Sequence, residues 1–256
     1  MGRVRQPLEV IRSNQNSRVK QLRKYLRYPQ SSGTPWVAVE GLKAIREVCH
    51  RVPLKLLVQA EDWEADGAPL PALETLVVDA RILKELSQLE SDTGSIAFFE
   101  KPYWSWDSLP SVLLFLDRLQ DPGNLGTLMR CAASAGTAGI VCSRGTVSRF
   151  NAKAVRASAG TLFHLPVREG ETIEALRNQG YRLVAACPSG GESIFQAKLR
   201  PPLAIAIGNE GSGLTADVAA AAERRIHIPV AADAPSLNAA LAGAIILFEV
   251  RRRSEI

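Results

Sequence analysis

The sequence lacks the spacings that would build a metal centre or a disulfide framework. Its three histidines are far apart along the chain, and no two cysteines form a CxxC pair. Zinc sites need ligands at short, regular spacings, so no resident metal is expected. We interpret the four cysteines as free, buried thiols. They are Cys49, Cys131, Cys142 and Cys187.

Long apolar runs are also missing. The longest candidate, residues 239–250, is too short for a bilayer and is followed by three arginines. The amino-terminal residues carry arginines but not the apolar stretch of a signal peptide. We therefore expect a cytoplasmic protein without a membrane partner.

Several nucleotide and hydrolase fingerprints are absent as well. The second half of the chain has no GxGxxG after its first strand, and GNEGSG at 208–213 lacks the lysine of a phosphate-binding loop. No serine sits in a GxSxG elbow. These absences argue against a Rossmann-type cofactor site, an ATPase and a serine hydrolase.

Positive charge is concentrated at one end. Residues 1–28 hold eight Lys and Arg residues against one carboxylate, a net charge of +7, whereas the whole chain carries +5. The pattern over 17–28 predicts a helix with Val19, Leu22 and Leu26 on one face. Such a block predicts a polyanion partner, RNA or DNA, and a solvated amphipathic helix is the alternative. The candidate RNA-binding residues are Arg18, Lys20, Arg23, Lys24 and Arg27.

Two α/β units follow from the alternation of strand and helix patterns. The first, over 1–105, contains the basic helix and a small set of strands and helices, and 101–110 is read as a linker. In the second, over 106–256, strands such as 111–117 and 202–208 have uninterrupted apolar centres, as in a sheet buried on both faces. We predict a mostly parallel sheet with helices on both sides. The first helix of this unit is predicted over 126–136 and the last over 236–253.

Three loops in the second unit are rich in Gly, Asn, Asp and Ser. They span 117–126, 208–214 and 229–238, and each follows an apolar strand and precedes a helix. Ligands of parallel sheets bind beyond the carboxyl ends of the strands. The functional site is therefore expected where these three loops meet.

The three segments together resemble the signature motifs of the SpoU (TrmH) family of RNA 2'-O-ribose methyltransferases, within the SPOUT superfamily. NLGTLMRCAASAG has an Asn followed by an Arg six residues on, AIAIGNEGSGL is a strand ending in Gly-Asn-Glu, and IHIPVAADAPSLNAALAGA places Ser-Leu-Asn before a helix. The third segment departs from the family pattern, with VAADAP after Ile-Pro and small alanines after the Asn. The first unit is similar to the substrate-binding domain that precedes the catalytic domain in many members.

This resemblance implies a deep trefoil knot in the catalytic domain and S-adenosylmethionine as the methyl donor. Glycines let the loops approach the donor closely, and isoleucine and leucine side chains supply apolar walls. Turn formation is the alternative role for the glycines. The expected donor contacts are Gly208, Ile228 and Leu237, then Ile207, Asn209, Gly211 and Pro229.

The resemblance also implies which residues act on the acceptor. These are Asn124, Arg130, Glu210, Ser236 and Asn238. Glu210 is expected to fix a neighbouring Asn or Arg, and Ser236 and Asn238 to cap a helix or hold the ribose. A guanidinium is a poor proton acceptor, so we expect Arg130 to clamp a phosphate or orient the hydroxyl, with Asn124 holding the Arg or the ribose.

The implied activity is methyl transfer to a ribose 2'-hydroxyl, with ribosomal RNA as the expected acceptor. A tRNA acceptor and a noncatalytic RNA-binding protein of the same fold are the alternatives. Members of the superfamily pair two subunits through helices of the knot, and the apolar helix at 241–250 suits such a homodimer or a plain core.

Overall fold

The computed structural model describes residues 9–89, 94–136, 138–231, 233 and 236–253. Arg3 and Arg5 of the basic block lie outside the described residues. So do Ala232, Ala234 and Pro235 of the VAADAP segment, which departs from the family pattern. The chain divides into two compact units, Met1–Pro102 and Tyr103–Ile256. No helix among the described residues has the length and apolarity needed to cross a membrane.

The first unit is a five-stranded sheet with three helices. The strands are β1 (Val10–Ile11), β2 (Trp36–Glu40), β3 (Leu54–Ala60), β4 (Glu74–Val78) and β5 (Ser95–Glu100), and the helices are α1 (Ser17–Arg27), α2 (Leu42–Cys49) and α3 (Ala80–Leu86). The strand order is β1-β4-β3-β5-β2, with parallel pairs on one side and antiparallel pairs on the other. Val19, Leu22 and Leu26 of α1 are buried against the sheet, as their spacing predicted.

The second unit is built on a seven-stranded sheet. Its strands are β6 (Val112–Leu116), β7 (Ala138–Ser143), β8 (Val167–Glu171), β9 (Arg182–Ala186), β10 (Glu192–Ser193), β11 (Leu203–Ile207) and β12 (Arg224–His227). The order is β10-β12-β9-β11-β6-β7-β8, and each neighbouring pair is parallel. The predicted parallel sheet is confirmed, and the implied knot stays a prediction.

Helices cover both faces of this sheet. They are α4 (Pro122–Ala135), α5 (Ala152–Ala157), α6 (Ile173–Asn178), α7 (Ala216–Ala221) and α8 (Ala239–Arg253). Leu176 of α6 and Val218 of α7 pack on the face that carries Phe115. On the opposite face, Gly243 of α8 lies so close to Leu128 of α4 that an added Cβ would come within 2.3 Å of its Cδ2 atom. α4 and α8 therefore pack against each other as one layer.

Helix α4 begins four residues before its predicted start. Asp121 accepts a hydrogen bond from the Asn124 amide at 2.9 Å, and Pro122 occupies the first turn. An Asp cap followed by Pro is a strong helix start, although the glycines at 123 and 126 suggested a loop. Gly126 instead permits close packing, since a Cβ there would lie 2.4 Å from the Cβ atom of Ala157 in α5. Asn124 consequently belongs to the first turn of a helix.

The cysteine prediction is corrected in one respect. The four thiols are free, but Cys142 is buried whereas Cys49, Cys131 and Cys187 are half-buried. Burial raises the pKa of the Cys142 thiol, as expected for a group deep in the sheet. Cys49 ends α2 and Cys187 follows β9, whereas Cys131 lies within α4.

The far end of α8 is held by a buried carboxylate. Glu249 is 8% exposed and accepts hydrogen bonds from Arg252 at 2.9 Å and from Arg253 at 2.5 Å. Arg253 also donates to the carbonyls of Phe195 and Ala197, so the helix end is tied to the segment after β10. The bonds from Arg252 lower the pKa of Glu249 to about 2, although burial opposes this.

Glu249→Gln is expected to lower the melting temperature at pH 7 by a few degrees. The folded-state pKa lies below the ordinary value of 4.5, so the stabilisation is present above that value and is lost as the pH falls towards 2. Thermal melts of the variant and the parent should therefore converge between about pH 5 and pH 2. Glu223→Gln, at an exposed carboxylate, is the control, and a gap that stays constant across this range would contradict the assignment.

Candidate functional site

Three side chains predicted from separate segments meet in one hydrogen-bonded cluster. The Asn124 side-chain amide donates to Glu210 Oε1 at 2.9 Å, and its carbonyl oxygen accepts from Asn238 Nδ2 at 3.0 Å. The three loops therefore converge at the carboxyl edge of the sheet, as their positions after the strands predicted. Both ends of the Asn124 side chain are engaged, so this residue serves to fix its neighbours.

Glu210 is anchored mainly by the loop before α4. Its carboxylate accepts from the backbone amides of Gln120 and Asp121, each at 3.2 Å, in addition to Asn124. Burial raises the pKa of Glu210, but the bonds from Asn124 and the backbone amides outweigh burial and lower it below the ordinary value. Glu210 therefore joins the 208–214 loop to the loop before α4.

Asn238 is the cap of α8. Its Oδ1 atom accepts from the amides of Ala240 at 2.8 Å and Leu241 at 3.3 Å, while its Nδ2 atom binds Asn124. The helix thus starts at Ala239, three residues after its predicted start. Ser236 precedes the cap and lines the adjacent cavity. Asn238 therefore caps the helix, as expected, and also binds Asn124, while its expected contact with the ribose stays a prediction.

A cavity of about 630 Å³ opens beside this cluster. Ile207, Ile228 and Leu237 contribute apolar surface, as predicted, and Ala242 and Ile246 of α8 add to it. Its volume lies in the range of small-molecule and cofactor sites. The other predicted site residues that line the cavity are Gly208, Asn209, Glu210, Gly211, Ser236 and Asn238.

The 208–214 loop is closely packed and hydrogen-bonded within itself. A Cβ on Gly208 would lie 2.3 Å from the Gly213 carbonyl carbon, and Asn209 and Gly213 exchange backbone hydrogen bonds at 2.9 Å. The Asn209 side chain accepts from the Gly211 amide at 2.9 Å and donates to the Arg118 carbonyl at 3.0 Å. Gly208 and Asn209 line the cavity, but the packing requirement comes from the loop itself.

Two features of the cavity differ from expectation. Pro229 is exposed and does not line the cavity, whereas Ile228 and Val230 on either side of it do. His227 lines the cavity although its isolation in sequence gave no hint of this, and its buried Nδ1 atom has no hydrogen-bond partner among the described residues. A buried polar atom without a partner is costly, so a ligand group here would relieve a real deficit.

Arg130 does not join the cluster within one chain. Six helical residues place it about 9 Å along α4 and about 240° around it from Asn124. It is exposed, on the same face of α4 as Thr127 and Ser134, and it is absent from the cavity lining. The expected contact between Asn124 and Arg130 is therefore not formed, because Asn124 is occupied by Glu210 and Asn238.

The basic helix α1 in the first unit separates into two sets. Arg18 pairs with Glu74 at 2.8 Å and Arg23 with Glu85 at 3.3 Å. Lys20, Lys24 and Arg27 are exposed and recur at the i, i+4, i+7 spacing, which aligns them along one side of the helix. Among the described residues, no carboxylate pairs with these three side chains, so this aligned set presents its positive charge to solvent.

Known proteins resemble this chain over nearly its whole length. A protein of Bacillus subtilis (strain 168) named 23S rRNA (guanosine(2553)-2'-O)-methyltransferase is 25% identical over 248 residues, covering 95% of this chain and 100% of the relative. The structure of an AdoMet-bound rRNA methyltransferase from Sinorhizobium meliloti matches with a TM-score of 0.79 at 28% identity, over 96% of this chain and 98% of that one. That of the SpoU methyltransferase AviRb from Streptomyces viridochromogenes, in complex with AdoMet, gives 0.80 at 26% identity, over 94% and 99%.

The family model of the SpoU rRNA methylases matches residues 111–248. This span contains β6 to β12, the cavity and the cluster of Asn124, Glu210 and Asn238. The resemblance of the three loops and the match to the family model agree. The chain belongs to the SpoU rRNA methylase family.

Proposed function

We propose that this chain transfers a methyl group from S-adenosylmethionine to a ribose 2'-hydroxyl of ribosomal RNA. The observation that carries the proposal is the joining of Asn124, Glu210 and Asn238 at the mouth of a cofactor-sized cavity. The names of the relatives support the donor, and that of the Bacillus protein supports a ribose 2'-hydroxyl of 23S rRNA as the kind of acceptor.

The cavity fits S-adenosylmethionine in volume and in chemistry. Ile207, Ile228 and Leu237 form apolar surface for a flat adenine, and His227 offers a buried polar atom in need of a partner. When bound, the donor supplies a methyl group made electrophilic by a sulfonium. The side chains at the mouth of the cavity then determine where the acceptor hydroxyl lies.

The chain's own contribution is positioning of the acceptor hydroxyl. Holding two reactants in line can supply a large part of a rate enhancement. Ser236 offers a hydroxyl to the ribose at the cavity, and Arg130 offers a guanidinium with a fork of N–H donors. Arg130 therefore orients the acceptor or its phosphate, and the proton leaves to water or to a neighbouring group.

A homodimer would bring Arg130 to a site. Helix α8 presents Leu241, Ile245 and Phe248, which are 56%, 36% and 47% exposed and lie at i, i+4, i+7 along one face. A row of exposed apolar side chains on a helix is an association surface. We propose that two copies pair through α4 and α8, so that Arg130 of one copy completes the cluster of the other. Sedimentation equilibrium at micromolar protein should give twice the chain mass, and a monomer would contradict the pairing.

Label transfer from the donor to RNA tests the activity directly. Purified protein is incubated with methyl-labelled S-adenosylmethionine and total RNA from a strain that lacks the gene. Label should enter ribosomal RNA and survive digestion as a 2'-O-methylnucleoside. Label in tRNA would mean that the acceptor is tRNA rather than ribosomal RNA. RNA binding with neither label transfer nor donor binding would indicate a noncatalytic RNA-binding protein.

The first unit is proposed to bind RNA through the aligned set on α1. Changing Lys20, Lys24 and Arg27 together to Gln should weaken RNA binding about tenfold or more at low salt, because three phosphate contacts are lost. The slope of log affinity against log salt should fall by about 2. Filter binding at several salt concentrations measures both quantities.

A double variant of the paired arginines is the control. Arg18→Gln with Arg23→Gln removes two charges that Glu74 and Glu85 already neutralise, so its salt slope should stay close to that of the parent. If the double variant lowered the salt slope by about two-thirds as much as the triple variant, net charge alone would account for both effects. The aligned set would then have no special role.

A further inference from the structure

An exposed pair of arginines lies beside the proposed active site. Neither arginine belongs to the hydrogen-bonded cluster of Asn124, Glu210 and Asn238. Arg118 follows β6 and Arg144 follows β7, so the neighbouring parallel strands deliver both to the carboxyl edge of the sheet. Among the described residues, neither guanidinium forms an ion pair with a carboxylate. Two unneutralised arginines at a ligand-binding edge form a strong anion-binding surface.

The backbone of Arg118 is held in an unusual conformation. Its φ is +56°, a left-handed value that a long side chain seldom adopts. The Arg118 amide donates to Ser143 Oγ at 3.0 Å, and its carbonyl accepts from Gln120 Nε2 at 3.1 Å and Asn209 Nδ2 at 3.0 Å. Surroundings that hold a residue in a strained conformation are characteristic of functional positions.

This conformation directs the Arg118 side chain across the loop that carries Arg144. A Cβ built on Gly145 would lie 3.6 Å from Arg118 Cγ and 3.8 Å from its Nε atom. Gln120 Nε2 also donates to the Gly145 carbonyl at 2.6 Å. The two arginines therefore belong to a single bonded pair of loops.

The same loop is bonded to the proposed active site. The Gln120 amide donates to Glu210 Oε2 at 3.2 Å, and Glu210 binds Asn124. Gln120 is two positions along the chain from Arg118, so the backbones of the two residues lie at most about 7 Å apart. From there the long Arg118 side chain can reach the phosphates next to a nucleotide bound at the cluster.

We propose that Arg118 and Arg144 bind backbone phosphates of the acceptor RNA next to the target nucleotide, and so set its position relative to Glu210. This inference rests on the proposed function. It assigns a role to the loops after β6 and β7 that is distinct from donor binding, because neither arginine lines the cavity. Phosphate contacts of this kind set register without reading sequence.

Two substitutions at position 118 separate the charge from the backbone strain. Arg118→Gly removes both, because glycine adopts a positive φ readily, whereas Arg118→Gln removes only the charge. Both variants should bind RNA about tenfold more weakly, with a salt slope reduced by about 0.7. Only Arg118→Gly should also raise the melting temperature.

Two matched controls complete the design. Ala159→Gly relieves a positive φ of +46° elsewhere in the same unit without changing the charge. Arg177→Gln removes one exposed positive charge from the end of α6, before β9 and so at the opposite edge of the sheet. The first should raise the melting temperature alone, and the second should leave RNA binding unchanged.

Binding and single-turnover methylation are measured with unmodified 16S and 23S ribosomal RNA transcribed in vitro, and donor affinity is measured by calorimetry. The expected result is weaker RNA binding for both position-118 variants, with donor affinity within about twofold of the parent. The role of Arg118 would be overturned if the parent is active but both position-118 variants bind RNA as tightly as Arg177→Gln does. A loss confined to donor affinity would also overturn it. A parent that neither methylates nor binds these RNAs would overturn the proposed function and this inference with it.

Discussion

Arg130→Ala is expected to slow methyl transfer about a hundredfold to a thousandfold while donor affinity stays within about twofold. The guanidinium lies outside the cavity, so its loss should affect the acceptor step alone. Single-turnover label transfer measures the first quantity and calorimetry the second. Arg130→Lys should recover little, because a lysine cannot offer the planar pair of donors that a phosphate or ribose would engage.

A mixing experiment tests where Arg130 acts. Arg130→Ala and Glu210→Ala should each be inactive, the second because it unties Asn124 from the loop before α4. If Arg130 serves the partner's cluster, random exchange of subunits yields mixed dimers with one complete site, and activity should return to about a quarter of the parent value. If it serves its own chain, the mixed dimers contain no complete site and the mixture stays inactive.

Gly208→Ala is expected to abolish donor binding, with at least about a hundredfold loss of affinity. A Cβ at this position would lie 2.3 Å from the Gly213 carbonyl carbon and 2.4 Å from the Leu214 amide nitrogen. These are backbone atoms, so the clash can be relieved only by opening the loop that forms one wall of the cavity. Calorimetry with S-adenosylmethionine measures the loss.

Gly211→Ala provides the comparison within the same loop. The nearest atom to a Cβ there is Asn209 Oδ1 at 3.6 Å, an ordinary contact. Its melting temperature should stay near that of the parent, and any loss of affinity should be much smaller than for Gly208→Ala. Equal losses in the two variants would mean that the glycines contact the donor directly rather than shaping the loop.

The sequence predicted most of what is set by local pattern and by topology. Apolar strands alternating with helices indicated the parallel sheet. Because each loop follows a strand of that sheet, the loops of Asn124, Glu210 and Asn238 were expected to meet at its carboxyl edge, and they do. The start of α4 was misplaced because Gly123 and Gly126 suggested a loop. The close contact of α4 with α5 that explains Gly126 joins residues distant in sequence.

Other features depended on partners that no local pattern contains. Glu74 and Glu85 neutralise Arg18 and Arg23 from far along the chain, which removes two of the five predicted RNA contacts from the unpaired set. The position of His227 in the cavity follows from the way β12 ends, not from any motif around it. The first motif singled out Arg130 as a site residue. The six helical positions between Asn124 and Arg130 turn its side chain away from the cluster.

The place of α8 in the chain has a consequence for the order of folding. Ala239, Ala242 and Ile246 of this helix form one wall of the cavity, yet α8 follows all seven strands of the sheet in the chain and is synthesised after them. The cavity therefore lacks this wall until α8 has docked. Once α8 has docked, bound donor stabilises the finished unit by mass action. Donor binding therefore reports that this last helix is in place.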